Sequence, residues 1–479
     1  MSEAILSTQA IEQEDHQTKD WSPAKVIYTV LMAIALLSHL WLILIGAGIE
    51  DIPTCIWIIR LCTVSFAIYL GKLWKDRGFQ ILSLYFLLFF LRCFIPDPGS
   101  IFSVKAAESI LAALWLFAGC YGLAKVLSPN QLKRFLSVNV MVWIAGMAIL
   151  CCLGIYTVWT EQTMSLFGGN IYLSYDDTGE MRLELVYTAT TSGAIMGITI
   201  LIGTIQILCI KNKYFKRVLL LLLIPIIIAM ALTDSRTAFV SASMGLAIMA
   251  FSRWYQYYQK QTKENDLHRK GNQLKAWIFG ILIMGMVFVL LIIILLQITP
   301  AFNRIRTQSL IPSAFAETTK KTDVAVRGFS GDRILSGRTE LWTNIINYIN
   351  QNRNILLTGA SKNIQLVVID RYYSHCHSLY FQALLESGIP GLLLIIAFIV
   401  YTMINVIRVI TYPELPLWIR LIPAVFVSLA VADLAECFLW LRASQGPMIA
   451  VFFIAASILN TLVPKQKKKE KALSDPAIK

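Results

Sequence analysis

Charge is what this chain has least of. Asp, Glu, Lys and Arg together make up 15% of its 479 residues, where soluble domains carry about 25%. So little charge excludes a protein that faces water on all sides. Histidine is also rare, at five residues, so the position of each one matters. The nine cysteines are scattered, mostly inside apolar stretches (Cys55, Cys62, Cys93, Cys120, Cys151, Cys152, Cys209 and Cys437). None has zinc-type spacing, which excludes a zinc-ribbon or finger module. His375-Cys376-His377 is not a metal set either, because adjacent side chains point in different directions and no second ligand cluster exists. No metal and no cofactor is expected. A cleavable signal peptide is not expected: the first 20 residues are polar and acid-rich, and the first apolar run is too long for an h-region.

What the chain has instead is apolar length. Runs of roughly 18 or more apolar residues, the signature of a membrane-spanning helix, recur throughout. The expected fold class is therefore an all-α polytopic membrane protein of about 12 transmembrane helices. The expected spans are 24–48, 52–71, 78–95, 106–127, 135–158, 185–209, 215–232, 236–252, 276–298, 389–409, 417–440 and 446–463. This divides the chain into a cytoplasmic tail (1–23), helices 1–9 (24–298), a large extracytoplasmic loop carrying active-site helices (299–388), helices 10–12 (389–463) and a basic cytoplasmic tail (464–479).

The net charge is +13 and its placement is informative. With both termini cytoplasmic, Lys72/Lys75/Arg77, Lys125/Lys133/Arg134, Lys211/Lys213/Lys216/Arg217 and the tail Lys465–Lys471 all fall inside. Glu50/Asp51, Asp97 and the acidic stretch from Asp176 to Glu184 fall outside. That distribution follows the positive-inside rule. The basic tail then acts as a topology signal or a contact to lipid headgroups, and no nucleic-acid partner is expected. The long segment from about 299 to 376 breaks the pattern. It is extracytoplasmic yet basic, carrying Arg304, Arg306, Lys320, Lys321, Arg327, Arg333, Arg338, Arg353, Lys362 and Arg371, a composition suited to an anionic ligand. Within it, Arg338–Gln351 is expected to be helical, since Leu341, Trp342, Ile345, Ile346 and Ile349 recur at three-to-four spacing, with Ser336 as the N-cap. Arg338 would then oppose the dipole of its own helix, so helix stability does not account for it.

Ser374–Leu393 is the stretch with the most chemistry. His377 stands at the mouth of a helix carrying Tyr380, Gln382 and Glu386, which breaks at Gly388-Ile389-Pro390-Gly391 before a long apolar run. An ionisable residue at a membrane boundary marks a site by default. The Thr233-Asp234-Ser235-Arg236 turn falls on the same side, so topology gathers Arg236, Arg338 and His377 at one face. The alternatives are a helix cap for His377 and ordinary interfacial arginines for the other two. Asp433 and Glu436, one helix turn apart, either pair with arginines such as Arg442 or face an acceptor, with structural pairing the favoured expectation; Arg92 and Glu108 form another candidate pair, and Arg60 lies deeper.

Four segments resemble the O-antigen ligase and O-antigen polymerase superfamily: Leu185–Ile198; Ser235-Arg236-Thr237; Ser336–Trp342 followed by Leu356–Gly359; and His377–Gln382 through Glu386–Leu392. Ser378 stands where the family usually has Asn, and the likeness is strongest from about 185 to 410. The resemblance implies a membrane glycosyltransferase with a GT-C-like fold in the bacterial inner membrane. Its donor would be a polyprenyl-diphosphate-linked oligosaccharide and its acceptor a glycan or lipid-linked hydroxyl, in O-antigen, capsule or exopolysaccharide synthesis. Membrane lipids and other polysaccharide-assembly proteins would be its partners. Arg236 and Arg338 suit a clamp on the diphosphate, since guanidinium makes forked, charge-assisted contacts. His377 suits deprotonation of the acceptor hydroxyl. Arg333, Arg371, Tyr380 and Gln382 are candidate substrate contacts, and direct attack would invert the anomeric carbon without requiring a metal. The rival class is a polysaccharide or lipid-linked oligosaccharide flippase, but the halves show no internal repeat.

Overall fold

The computed structural model describes residues 21–45, 53–93, 110–166, 169–175, 181–185, 188–263, 269–308, 338–360, 376–412, 414–437 and 446–463. Helices dominate: α1 (Pro23–Ile45), α2 (Thr54–Gly71), α3 (Arg77–Cys93), α4 (Ile110–Val126), α5 (Pro129–Thr160), α6 (Ala189–Cys209), α7 (Lys213–Leu232), α8 (Arg236–Lys263), α9 (Arg269–Gln308), α10 (Arg338–Gln351), α11 (Ile355–Thr358), α12 (Leu379–Thr411), α13 (Leu417–Ala435) and α14 (Gly446–Leu462). Every expected apolar span falls on one of them. Among the described residues, eight helices (α1, α2, α5, α6, α7, α9, α12 and α13) are long and apolar enough to cross a membrane. Of the remaining expected spans, α3, α4 and α14 reach 17 residues each, and α8 carries more small and polar residues.

Several helices outrun their expected spans, among them α8, which runs to Lys263, and α12, which starts at Leu379. The apolar run of α9 stops near 298, but the helix continues to Gln308. Its extension packs on α5, where Trp159 meets Phe302 edge-on at 5.8 Å, and Thr299 donates to the Ala231 carbonyl at 3.1 Å. The loop between α5 and α6 holds a three-stranded antiparallel sheet of β1 (Met164–Leu166), β2 (Gly169–Tyr175) and β3 (Met181–Glu184). Hydropathy had left it unseen because its strands are short. Met181 and Leu183 are buried and tie the sheet to the bundle.

Helix ends follow local chemistry. Ser128 and Gln131 form a capping box ahead of Pro129 at the start of α5, and Asn212 caps α7. Ser235 accepts from the Ala238 N–H and opens α8, after Asp234 takes a left-handed φ of 49° that Asp tolerates better than most residues. Within a membrane, close packing rather than the hydrophobic effect joins helices. Gly193 and Gly197 of α6, one turn apart, lie against Ala238 and Ala242 of α8. A Cβ at Gly193 would sit 2.8 Å from Ser235, so this glycine sets the depth of the Ser235-Arg236 turn. Helix α13 lies at the centre, with 72% of its most apolar window buried, whereas only 11% is buried in α9 at the periphery.

A second apolar cluster, separate from the main core, seats α10. Leu341, Ile345 and Ile349 form the buried stripe of that helix and pack with Ile355, Cys376 and Leu385. Each such side chain contributes on the order of 2 kcal/mol. The helix runs over the residues the sequence periodicity indicates, although Ile346 turns out to be exposed. Deeper in the bundle, Arg60 stacks between Trp57 and Trp115 at 5.0 and 4.6 Å and donates to Ser38 at 3.2 Å. A π-helical turn over Trp115–Cys120 accompanies this packing and leaves the Gly119 carbonyl to accept from Tyr28.

Candidate active site

The backbone just before α12 brings His377 forward. His377 holds a left-handed φ of 49° and is 23% exposed, between the buried Cys376 and Ser378. Both peptide groups of Cys376 are pinned. Its N–H donates to Gln382 Oε1 at 3.1 Å, and its carbonyl accepts from Trp342 Nε1 at 2.8 Å. Gln382 Nε2 in turn donates to Glu386 Oε1 at 2.7 Å. Trp342 stacks on Phe381 at 5.5 Å, which fixes α10 against the first turn of α12.

Helix α12 breaks where the sequence indicated. Gly388 has φ 66° and ψ −166° inside it. Gly359 (φ 72°) fits directly into this break: a Cβ there would lie 2.3 Å from the Glu386 carbonyl oxygen, and one at Gly388 would lie 2.8 Å from that of Leu356. Both positions therefore need glycine for close backbone approach as well as for φ. The Ala360 N–H donates to the Leu385 carbonyl at 2.6 Å, and Arg92 Nε donates to the Gly359 carbonyl at 2.9 Å. Arg92 thus anchors the loop backbone; its expected partner Glu108 lies outside the described residues.

The centre of the site is Glu436, which follows the last residue of α13 and is 3% exposed. One carboxylate oxygen meets His377 Nδ1 at 3.0 Å and the other forms a direct ion pair with Arg338 Nη2. Glu436 opposes the dipole at the C-terminal end of α13, as Arg338 does in the first turn of α10. Their mutual neutralisation accounts for both. Arg338 donates to one oxygen of this carboxylate, and the other faces the imidazole as an acceptor. In the tautomer that donates from Nδ1 to this carboxylate, Nε2 is the ring nitrogen that carries the lone pair.

Two further carboxylates, Asp433 and Glu386, are buried nearby. Both act electrostatically on Cys437, together with Glu436 and Cys376. Burial first, then these carboxylates, pushes the Cys437 thiol well above its ordinary value; burial and Glu386 do the same for Cys376. Neither thiol is available as a thiolate. Tyr380, half-buried in the first turn of α12, lies within the field of Asp433.

The structure thus joins Arg338 and His377 through Glu436. Arg236 stands in the first turn of α8, half-buried. Helices α8 and α13 run antiparallel, with Ser428 donating to the Ser241 carbonyl at 2.6 Å and Ser252 to that of Arg420 at 3.0 Å. Gln382 is buried with both ends of its amide engaged. Arg333, Arg371, His375 and Arg442 lie outside the described residues, as do Ser336 and the basic tail. Glu436 is the participant that sequence reasoning left to structural pairing. The available signal was two carboxylates one turn apart near the end of a span.

A family model described as O-antigen ligase matches residues 220–396. Residues 220–396 form an O-antigen ligase domain. The domain takes in Arg236, Arg338, His377, Gln382 and Glu386, and ends before Glu436. The match covers less than half of the chain; at a coarse level it supports an activity of the O-antigen ligase and polymerase type in a multi-pass membrane protein. At the same coarse level it implies a lipid-linked oligosaccharide substrate. No curated protein and no solved structure matches the chain.

Proposed function

We propose that this protein transfers oligosaccharide units from a polyprenyl-diphosphate carrier onto an acceptor hydroxyl at the extracytoplasmic face of a bacterial inner membrane. In this reading the twelve apolar helices all cross the membrane, both termini are cytoplasmic, and α10 with its flanking loops is the extracytoplasmic cap. The observation that carries the proposal is the Glu436 carboxylate shared by His377 and Arg338.

Glu436 holds the imidazole so that Nε2 takes the proton from the acceptor hydroxyl. The acceptor oxygen attacks the anomeric carbon of the donor as the bond from that carbon to the diphosphate oxygen breaks. The diphosphate leaves with the electron pair, and the configuration inverts. General-base assistance of this kind is worth about 10²–10⁴-fold. The departing group gains negative charge, which Arg338 and Arg236 stabilise; loss of one such donor costs on the order of a hundredfold. Arg338 gives one of its N–H groups to Glu436, and its planar fork carries others. Arg333, Arg371 and Tyr380 serve as contacts to donor or acceptor.

The test is purified protein in lipid nanodiscs with a polyprenyl-diphosphate oligosaccharide. A product ladder indicates polymerisation and a single addition indicates ligation. Movement of the lipid-linked glycan across a bilayer without a new glycosidic bond would overturn the reading in favour of a flippase.

A further inference from the structure

We infer that Gln382 and Glu386 are positioning residues that set His377 through the backbone of Cys376. The inference rests on His377 as the base and adds the device that presents it. Gln382 and Glu386 are each 1% exposed, and Cys376 is fully buried. A sugar has no access to the Gln382 amide. Its polar atoms are already used, the oxygen on the Cys376 N–H and the nitrogen on Glu386. The order of partners fixes its orientation, since a backbone N–H needs an acceptor and a carboxylate needs a donor.

Four residues separate Gln382 from Glu386, so the two lie one above the other on a single face of α12. Glu386 sits two residues before the Gly388 break, where Gly359 presses on its carbonyl and Ala360 bonds to Leu385. The chain of bonds thus runs from this rigid join through Glu386 and Gln382 to the Cys376 peptide, which Trp342 holds from the other side. The next residue is His377, in a left-handed conformation that is uncommon outside glycine, although His enters it more readily than most residues. Conformations of that kind persist where surrounding contacts over-determine them. A displacement of about 1 Å at a reacting group can cost roughly a hundredfold.

The test uses the full-length protein with two readouts. One is the rate at which diethyl pyrocarbonate modifies His377, followed by peptide mass spectrometry. The other is kcat and KM for transfer. Gln382→Ala should raise the modification rate several-fold and lower kcat ten- to a hundredfold, with KM for the lipid-linked donor unchanged. Gln382→Glu should behave alike, because two carboxylates then face each other. Adding Glu386→Gln should restore both readouts: the carboxylate at 382 then accepts from the Cys376 N–H and from the new amide at 386. An unchanged modification rate in Gln382→Ala, or a double variant no better than Gln382→Glu, overturns the inference. So does a raised KM with unaltered kcat, which would make Gln382 a substrate contact. Absence of transfer by the wild type would overturn the proposed function, while the modification rates would still decide this inference.

Discussion

The two ends of the helix bundle hold buried charge in opposite ways. At the end opposite His377, Asp76 pairs with Lys125 at 2.7 Å, accepts from Tyr121 at 2.7 Å, and caps α3 through the Phe79 N–H at 3.0 Å. Asn460 joins Tyr121 to Thr402 and Asn405, and Arg408 donates to Asn405. That network ties α3, α4, α12 and α14 together and exposes little. At the His377 end, a single carboxylate is shared by an imidazole and a guanidinium, the imidazole is partly exposed, and its backbone is left-handed. Arrangements of the first kind rigidify a bundle. The second leaves an imidazole and a guanidinium side by side and partly exposed, which in the proposed function are the proton acceptor and the cation.

Substitutions at the two ends should therefore separate activity from stability. The largest effect is expected for His377→Ala, which should lower transfer about 10²–10⁴-fold with the thermal midpoint unchanged; full activity would remove His377 from the mechanism. Glu436→Gln keeps the shape but loses the charge that orients the imidazole and holds Arg338. A drop of about a hundredfold in kcat is expected, and a stability loss without a kinetic one would make Glu436 resemble Asp76. Arg338→Lys should cost roughly tenfold, since an ammonium cannot reproduce the fork; wild-type rates would make Arg338 a structural partner only.

At the opposite end the pattern should reverse. Asp76→Asn should destabilise by about 1–3 kcal/mol in denaturant unfolding, while turnover per folded molecule stays within about twofold. A large kinetic effect would erase the contrast between the ends. The smallest effect concerns pH. Burial raises the Asp76 pKa, but Lys125, the Phe79 N–H and Tyr121 outweigh it and hold the carboxyl below its ordinary value. A depressed folded value stabilises the protein above the unfolded pKa of about 4 and is lost as pH falls through the folded one. The gap in thermal midpoint between wild type and Asp76→Asn should narrow below about pH 4; a gap independent of pH would mean that the ion pair contributes nothing.

Much of this was legible in the chain. Long apolar runs located the helices, because in a membrane every backbone polar group must be satisfied within its own segment. Three-to-four periodicity marked α10, and the Gly-Ile-Pro-Gly run marked the break in α12. The order of Arg236, Arg338 and His377 indicated one face and a family. Each of these signals lies within a few residues of the feature it describes. The joining of Arg338 and His377 by Glu436 is different in kind. It links positions 98 and 59 residues apart, on the ends of separate helices, and falls beyond the O-antigen ligase domain. The inward turn of Gln382 and the seating of Gly359 against Glu386 are likewise contacts between elements. The sequence by itself determined which segments form long apolar helices and which residues stand at their ends. Only the packing of those ends decided which charge meets which, because a pairing across helices leaves no periodicity in the chain.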